Sequence, residues 1–381
     1  MHEFYEFFAG GGMVRAGLGP AWRCLFANDF DHKKSSVYNF NWGVGQLKTG
    51  DVRDVTTGDL PGQASLAWAS FPCQDLSLAG GGAGLKGDRS GSFWPFWKLM
   101  KDLIEESRGP SLIVLENVCG TLTSHEGRDF GAICNALQEA GYSTGAMVID
   151  ASLFVPHSRP RLFIVCPRQG ASFPAACISN APLLPWHTRS LRTAYERLPA
   201  KAKQGWIWWN PPIPPPRSAS FADLIEDGPK DVPWFSRAET QQLIAKMSGV
   251  NKAKLDAAKR EKRRIVGGLY RRTRPDESGN KVQRAEIRFD GVSGCLRTPA
   301  GGSSRQVVLI VEGSSVRARL ISSRETARLM GLPDSYVLPA NYNEAYHLTG
   351  DGVVVPVVRH LAANLFEPIL AALAPRTSVA A

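Results

Sequence analysis

Phe71-Pro72-Cys73-Gln74, Glu116-Asn117-Val118 and His157-Ser158-Arg159-Pro160-Arg161 occur in that order, the glutamate standing 43 positions after the cysteine. A thiolate, a carboxylic acid and a fork of guanidinium donors are the groups needed to add a nucleophile across a pyrimidine ring. In such an addition a thiolate attacks ring carbon 6, an acid supplies a proton or hydrogen bond at ring nitrogen 3, and an arginine holds the O2 oxygen. Cys73 stands in a turn ahead of the glycine-rich stretch Gly80-Gly81-Gly82-Ala83-Gly84. That setting suits a reactive thiol better than a structural one, which usually sits inside an apolar run. Glu116 follows Leu112-Ile113-Val114-Leu115. A carboxyl placed directly after a buried strand is poorly solvated, which raises its pKa and suits it to proton donation. A helix cap or a salt bridge is the plainer use of such a residue.

Those groups need a scaffold that brings them together. Over the first 170 residues short apolar runs alternate with helical patterns. Strands are expected at Glu3 to Phe8, Trp22 to Ala27, Leu66 to Ser70, Leu112 to Leu115, Thr144 to Ile149 and Leu162 to Cys166, with helices such as Phe93 to Glu106 and Phe130 to Ala140 between them. This is the pattern of an α/β fold with a mostly parallel, Rossmann-like sheet and helices on both faces. Ligands of such sheets bind beyond the carboxyl ends of the strands. Gly10 to Gly12, Asp29, Cys73 and Glu116 all fall just after expected strands, which argues for one shared site. The turn Phe8-Ala9-Gly10-Gly11-Gly12 lets a backbone approach a ligand closely. It matches neither a dinucleotide fingerprint nor a phosphate loop. Asp29, 19 residues beyond Gly10, is placed for a ribose, and Asp51 for an adenine amino group. Either could equally be a turn residue.

The chain has 381 residues and a net charge of +10, from 45 basic and 35 acidic side chains. Residues 251–290 hold 13 of the basic and 6 of the acidic groups. So concentrated an excess marks either a polyanion partner or a solvated helix face. The seven cysteines show no metal-ligand spacing and suggest no disulfide framework, so no metal site is expected. The N-terminus does not read as a signal peptide, and no membrane-spanning run is expected. Trp206 to Pro216 reads as an extended surface segment opening a different domain. Val353 to Leu373 reads as largely helical and too apolar for a tail, so it should return to the first domain. The expected division is a catalytic and cofactor-binding domain over 1–180, a smaller, irregular recognition domain over 181–318, and a return segment over 319–381.

The ordered set resembles the cytosine-C5 DNA methyltransferase family. Phe8 to Gly12 is similar to its cofactor glycine motif, Asn28-Asp29-Phe30 to its ribose-binding acid, and Gly50-Asp51-Val52 to its adenine-binding turn. Pro72-Cys73-Gln74 and Glu116-Asn117-Val118 match its nucleophile and acid motifs, and Ser158-Arg159-Pro160-Arg161 its arginine motif. Arg324-Glu325-Thr326-Ala327-Arg328-Leu329-Met330-Gly331-Leu332-Pro333-Asp334 matches the motif that organises the recognition domain, and Gly350-Asp351-Gly352-Val353 resembles the last, cofactor-facing one. The resemblance implies transfer of a methyl group from S-adenosylmethionine, leaving S-adenosylhomocysteine, to a cytosine flipped out of double-stranded DNA. It implies catalytic roles for Cys73, Glu116, Arg159 and Arg161. Phe8, Ala9, Gly10, Gly11, Gly12, Asp29, Phe30, Asp51, Val52, Pro72, Asp351 and Val353 would bind the cofactor. Gln74, Ser77, Arg89, Arg271, Arg272, Arg297, Arg305 and Gln306 would face DNA. It further implies a monomer acting on DNA in the cytoplasm of a bacterial or phage-infected cell, with any cognate restriction endonuclease acting separately.

Three departures stand out. His157 replaces the usual Gln, Asp351-Gly352 replace Asn and a small polar residue, and the loop after Cys73 is unusually rich in glycine. An acid at 351 can alter donor affinity or favour a modified donor. A tRNA cytosine methyltransferase, a non-catalytic DNA-binding regulator and a nicotinamide dehydrogenase are the rival readings. The large insert, the intact Cys73 and Glu116, and the missing fingerprint argue against them in turn.

Overall fold

The computed structural model describes residues 1–72, 93–170, 173–275, 278–297 and 305–373. The chain divides into two compact units. The first comprises Met1–Asp150, Pro160–Pro214 and Val357–Ala381, and the second Ala151–Arg159 and Pro215–Pro356. Residues 181–214 therefore fall in the first unit and 319–356 in the second.

The first unit is built on a nine-stranded sheet: β1 (His2–Phe7), β2 (Trp22–Asp29), β3 (Leu47–Thr49), β4 (Leu66–Ala69), β5 (Leu112–Val118), β6 (Thr144–Asp150), β7 (Pro160–Pro167), β8 (Ile178–Ser179) and β9 (Trp206–Trp209). The strand order is β3-β2-β1-β4-β5-β7-β6-β9-β8. The pairs from β3 to β5 are parallel, while β7 runs against both β5 and β6. Helices α1 (Met13–Leu18), α2 (His32–Trp42), α3 (Phe93–Glu105), α4 (Arg128–Glu139), α5 (Arg189–Glu196) and α6 (Ala200–Lys203) connect the strands.

Central strands read as unbroken apolar runs because both of their faces are covered. Tyr5, Phe7, Ala67, Ala69, Ile113 and Leu115 share one core with Phe96 and Met100 of α3 and Ile133 and Leu137 of α4. Each large side chain so buried stabilises the fold by roughly 1.5–3 kcal/mol. Trp68 meets Phe163 and Phe366, and the Trp22 indole donates to Glu367 at 3.0 Å. The C-terminal return therefore packs within the first unit, as its apolar sequence requires. The helical run Tyr342–Leu373 is long and apolar enough to cross a membrane by composition, yet 56% of its apolar window is buried in protein.

Trp206 to Pro216 departs from expectation. Its first four residues form β9, beside β6 in the first unit, and Trp209 is fully buried with its indole donating to the Val165 carbonyl at 3.1 Å. The approach depends on Gly145, where a Cβ would lie 2.4 Å from the Ile207 carbonyl. The prolines begin only after the strand has ended, so they do not disturb its ladder.

Order in the second unit goes further than the sequence suggests. Helices α7 (Arg237–Ala245) and α8 (Gly249–Arg260) pack on an antiparallel sheet of β10 (Arg264–Pro275), β11 (Lys281–Arg288), β12 (Val307–Glu312) and β13 (Ser315–Leu320), in the order β11-β10-β12-β13. Helices α9 (Ser323–Leu329) and α10 (Tyr342–Asp351) follow, and α11 (Val355–Leu361) and α12 (Glu367–Leu373) close the chain. The Arg319–Glu325 pair at the start of α9 is fully buried, at 2.6 Å, and Glu325 also accepts the Glu226 amide at 2.7 Å. A buried ion pair is tolerable when the remaining lone pairs are met in this way.

Candidate active site

Within the first unit, β3, β2, β1, β4 and β5 lie side by side and end on one edge, and the expected site residues follow those ends. After β1 the chain turns through Phe8 at φ 58° and Gly10 at φ 55° to Gly12 at φ 78°, which caps α1. At Gly12 a Cβ would sit 2.3 Å from the Trp42 indole nitrogen, so sterics as well as the left-handed backbone require glycine. Trp42 in turn donates to the Gly11 carbonyl at 3.0 Å.

Asp29 ends β2. One of its carboxyl oxygens accepts the Gly10 amide at 2.7 Å and the other the Asp31 amide at 2.8 Å. Burial pushes its pKa up. Phe30, beside it, is 71% exposed, an unusual amount of solvent contact for a phenyl ring. Asn28 ties the next turn in place by donating to the Lys48 and Gly50 carbonyls at 3.0 Å each. That turn carries Asp51, whose carboxylate takes both ends of the Arg53 fork at 3.0 and 2.7 Å and is held below the usual range by it. Val52 is buried.

At the other end of this row, Phe71 packs on Phe93, and Asn117 donates to the Phe71 carbonyl at 3.1 Å. Asn117 thereby ties the segment that leads to Pro72 to the strand that carries Glu116. Cys73, Gln74, Ser77 and Arg89 lie outside the described residues.

Glu116 is 7% exposed, and its Oε1 lies 3.3 Å from Arg161 Nε. The cause is topological. β7 runs antiparallel to β5 with Val118 opposite Arg161, so the start of β7 meets the carboxyl end of β5. Arg161 and Phe163 project from the same face of β7, and Phe163 stands opposite Glu116.

Arg159 does not share that alternation, because the strand begins at Pro160. Its buried guanidinium serves the second unit, donating to the carbonyls of Leu296 at 3.0 Å, Gly350 at 2.7 Å and Gly352 at 2.8 Å. His157, also buried, accepts the Leu296 amide on Nε2 at 3.1 Å. Imidazole here uses its acceptor side, so the ring proton resides on Nδ1. Asp351 ends α10 and is exposed, and Val353 is buried.

Of the residues expected to face DNA, Arg271, Arg272 and Arg297 are exposed. Arg305 is half-buried against the Tyr342 ring and donates to Asn343. Gln306 departs from expectation: it is 2% exposed, and its amide packs where Gly268 and Gly294 leave room. It is not presented to solvent.

The β10–β11 pair makes a feature that composition alone did not show. β10 leaves β12 after Leu269, but its pairing with β11 continues from Tyr270–Glu286 to Pro275–Lys281. Those six residue pairs form a two-stranded ribbon about 20 Å long. One face carries Tyr270, Arg272, Arg274, Arg284 and Glu286. Glu286 takes the Nε atoms of Arg272 at 3.4 Å and Arg274 at 2.7 Å.

Two further residues escaped the sequence reading. Trp42 carried no motif. Glu6 lay inside an apolar strand, Phe4-Tyr5-Glu6-Phe7, where a lone acid was the signal. Its side chain is fully buried.

The family model for C-5 cytosine-specific DNA methylases matches residues 2–367. The chain is 25% identical to the type II methyltransferase M.HpaII of Haemophilus parainfluenzae, over 96% of this chain and 89% of that one. It is 22% identical to M.HhaI of Haemophilus parahaemolyticus, over 95% and 94%. The fold is similar to the crystal structure of S. pombe Dnmt2 methyltransferase, with a TM-score of 0.59 and 16% identity over 97% of this chain and 99% of that one. It is also similar to Entamoeba histolytica methyltransferase EhMeth, with a TM-score of 0.59 and 14% identity over 96% and 98%. A match this extensive, across both units, settles the relationship: the chain belongs to the C-5 cytosine-specific DNA methylase family.

Proposed function

We propose that this DNA (cytosine-5-)-methyltransferase works through Cys73, Glu116 and Arg161 on a cytosine flipped out of double-stranded DNA, with S-adenosylmethionine as methyl donor. The observation that carries the assignment is the contact of Glu116 with Arg161 at the carboxyl edge of the sheet, on the strand beside the one that leads to Cys73.

The Cys73 thiolate forms a bond to carbon 6 of the target ring. Glu116 hydrogen-bonds or protonates nitrogen 3, and Arg161 orients Glu116 and supports charge on O2, so negative charge does not build up on the ring unsupported. Carbon 5 becomes nucleophilic and takes the methyl group. Loss of the carbon-5 proton then expels Cys73 and restores the ring.

The donor, when bound, supplies a methyl group on a sulfonium, and S-adenosylhomocysteine remains. The residues present fit such a molecule. The turn from Phe8 to Gly12 offers close backbone approach, and a Cβ at Gly10 would meet open space. Asp29 is placed for the ribose hydroxyls, Phe30 for an adenine face, and Asp51 and Val52 for its edge. Pro72 completes this set in the first unit, and the family resemblance adds Asp351 and Val353, which belong to the second.

We assign the chemistry and the donor residues from Phe8 to Pro72 to the first unit, and DNA recognition to the second. The ribbon is anchored near its base, where the buried Ala285 donates its amide to the Lys246 carbonyl, and a two-stranded ribbon fits the major groove of duplex DNA. Arg272 and Arg274, held to Glu286 through Nε, are assigned to the O6 and N7 acceptors of guanine. Arg271, Arg297 and Arg305 serve the phosphates, together with Gln74, Ser77 and Arg89 near the nucleophile. Arg159 organises the recognition unit rather than the ring chemistry. The enzyme acts as a monomer in the cytoplasm of a bacterial or phage-infected cell, and any cognate restriction endonuclease acts separately.

Cys73→Ala tests the reading. It should abolish methyl transfer and leave DNA binding intact, whereas retained transfer would refute the mechanism. Bisulfite sequencing of DNA from expressing cells identifies the methylated site and strand, and parallel incubation with tRNA tests the rival substrate.

A further inference from the structure

The two faces of the β10–β11 ribbon are unlike. On one, the Lys246 carbonyl accepts the Ala285 amide at 3.1 Å and Lys246 Nζ donates to Gln283 Oε1 at 3.0 Å, so this face is held at the end of α7. On the other, Tyr270 stands opposite Glu286, Arg272 opposite Arg284 and Arg274 opposite Val282. Like charges directly opposite one another destabilise a strand pair, and Arg272 and Arg284 are so placed. Among the described residues of this face, Glu286 is the one acid against three arginines. Its Oε1 accepts from Arg274 Nε at 2.7 Å, and its Oε2 lies 3.4 Å from Arg272 Nε. The Arg272 guanidinium also lies over the Tyr270 ring, 4.6 Å from the centroid. Arg274 is four positions beyond Tyr270, the register partner of Glu286, or about 13 Å along the strand. Its side chain therefore leans back toward the base of the ribbon to reach the carboxylate. The side chains of Arg272 and Arg274 remain 42% and 47% exposed, open to a ligand, while that of Glu286 is 24% exposed.

We propose that Glu286 is a specificity-determining residue: it gathers Arg272 and Arg274 into one base-reading unit and withholds them from the phosphates of unrelated DNA. An exposed arginine left alone is a mobile cation that any phosphate satisfies, and a phosphate contact carries no sequence information. Glu286 competes with phosphate for both guanidiniums. Drawing either arginine to the DNA backbone breaks its ion pair with the carboxylate, a cost that falls on every sequence alike. Guanine O6 and N7 need only two NH donors of a guanidinium that carries five, so a base contact can form while Nε stays with Glu286. The carboxylate thus weakens binding to the wrong sequence more than binding to the right one, which is how a repulsive or competing element raises specificity.

The inference rests on the reading of the ribbon as a DNA-facing element, and the experiment separates the two. The site methylated by the full-length wild type is first identified by bisulfite sequencing of a randomised duplex library. Binding to a duplex with that site and to one without it is then followed by fluorescence anisotropy between about 50 and 200 mM salt. Glu286→Gln should bind the unrelated duplex about tenfold more tightly, with a salt slope steeper by about 1, and the ratio of the two affinities should fall about tenfold. In a protein that already carries Arg272→Ala and Arg274→Ala, adding Glu286→Gln should leave affinity for the unrelated duplex within about twofold, because the released arginines are the source of the gain. Wild-type affinity of Glu286→Gln for the unrelated duplex would overturn the inference and leave the ribbon reading standing. So would a gain that persists without the two arginines. Weaker binding of Glu286→Gln to both duplexes would also overturn it, since it would mark a merely structural residue. Wild-type affinity for both duplexes in the protein lacking Arg272 and Arg274 would overturn both readings.

Discussion

Glu116 and Arg161 meet at 3.3 Å because β7 is reversed against β5, which returns the chain to the carboxyl edge of an otherwise parallel row of strands. Had β7 been parallel, its first residues would lie at the opposite end of the sheet. Glu116→Gln should therefore lower single-turnover methyl transfer on the order of 100-fold, with DNA affinity little changed. Arg161→Ala should act in the same direction. Single-turnover methyl transfer in both variants at wild-type speed would remove the pair from the mechanism.

Gly12→Ala adds a Cβ 2.3 Å from the Trp42 indole nitrogen at a left-handed backbone position. The strain should cost about 1–3 kcal/mol, read as a lower melting temperature, together with weakened S-adenosylmethionine binding by calorimetry. Gly10→Ala meets no neighbour, though it shares the backbone strain, and should be the milder of the two.

Arg159 satisfies three backbone carbonyls in the second unit. Truncation to alanine strands those carbonyls in the interior. Denaturant unfolding should report a loss of about 3 kcal/mol. Lysine should fail to restore it, because a single ammonium cannot reproduce the planar fork. Equal stability of wild type and Arg159→Lys would contradict this account.

On the ribbon, Arg272→Ala and Arg274→Ala should each relax discrimination at one guanine position by about 1–3 kcal/mol while leaving the salt dependence of binding unchanged. Arg271→Ala, by contrast, should weaken binding uniformly across sequences and reduce the salt slope by about 1. Methylation of a randomised duplex library, sequenced after bisulfite treatment, distinguishes the two patterns. Uniform loss for Arg272 and Arg274 would make them phosphate contacts.

Glu6, fully buried on β1, links stability to pH. Its folded pKa of about 8 lies above the 4.5 of the free side chain, so the folded state binds the proton more tightly. Stability from this group is then fully present below about pH 4.5 and is lost as pH rises through 8. Relative to wild type, Glu6→Gln should gain stability across that window, on the order of a few kcal/mol at most. A pH-independent difference in unfolding free energy would count against the assignment.

Short-range chemistry was legible in the chain itself. Apolar runs of strand length ending in Gly10, Asp29 and Glu116 announced a sheet with its ligands at one edge, because strand ends and special residues are encoded within a few positions. The apolar periodicity of the C-terminal segment likewise required its return to a core. Long-range geometry was not legible. The sequence offered Arg159 and Arg161 together as one fork of donors, and only the start of β7 at Pro160 and its reversal assign one to Glu116 and the other to the carbonyls of the second unit. Trp206 to Trp209 looked like surface until the missing Cβ of Gly145 let them join the sheet. Gln306 was expected to face DNA, but Gly268 and Gly294 make room for it inside. The ribbon also depends on which strands pair and how far the pairing runs. Residue type and spacing fix local conformation and chemical capacity, whereas strand direction, register and burial arise from contacts between distant residues that no local pattern specifies.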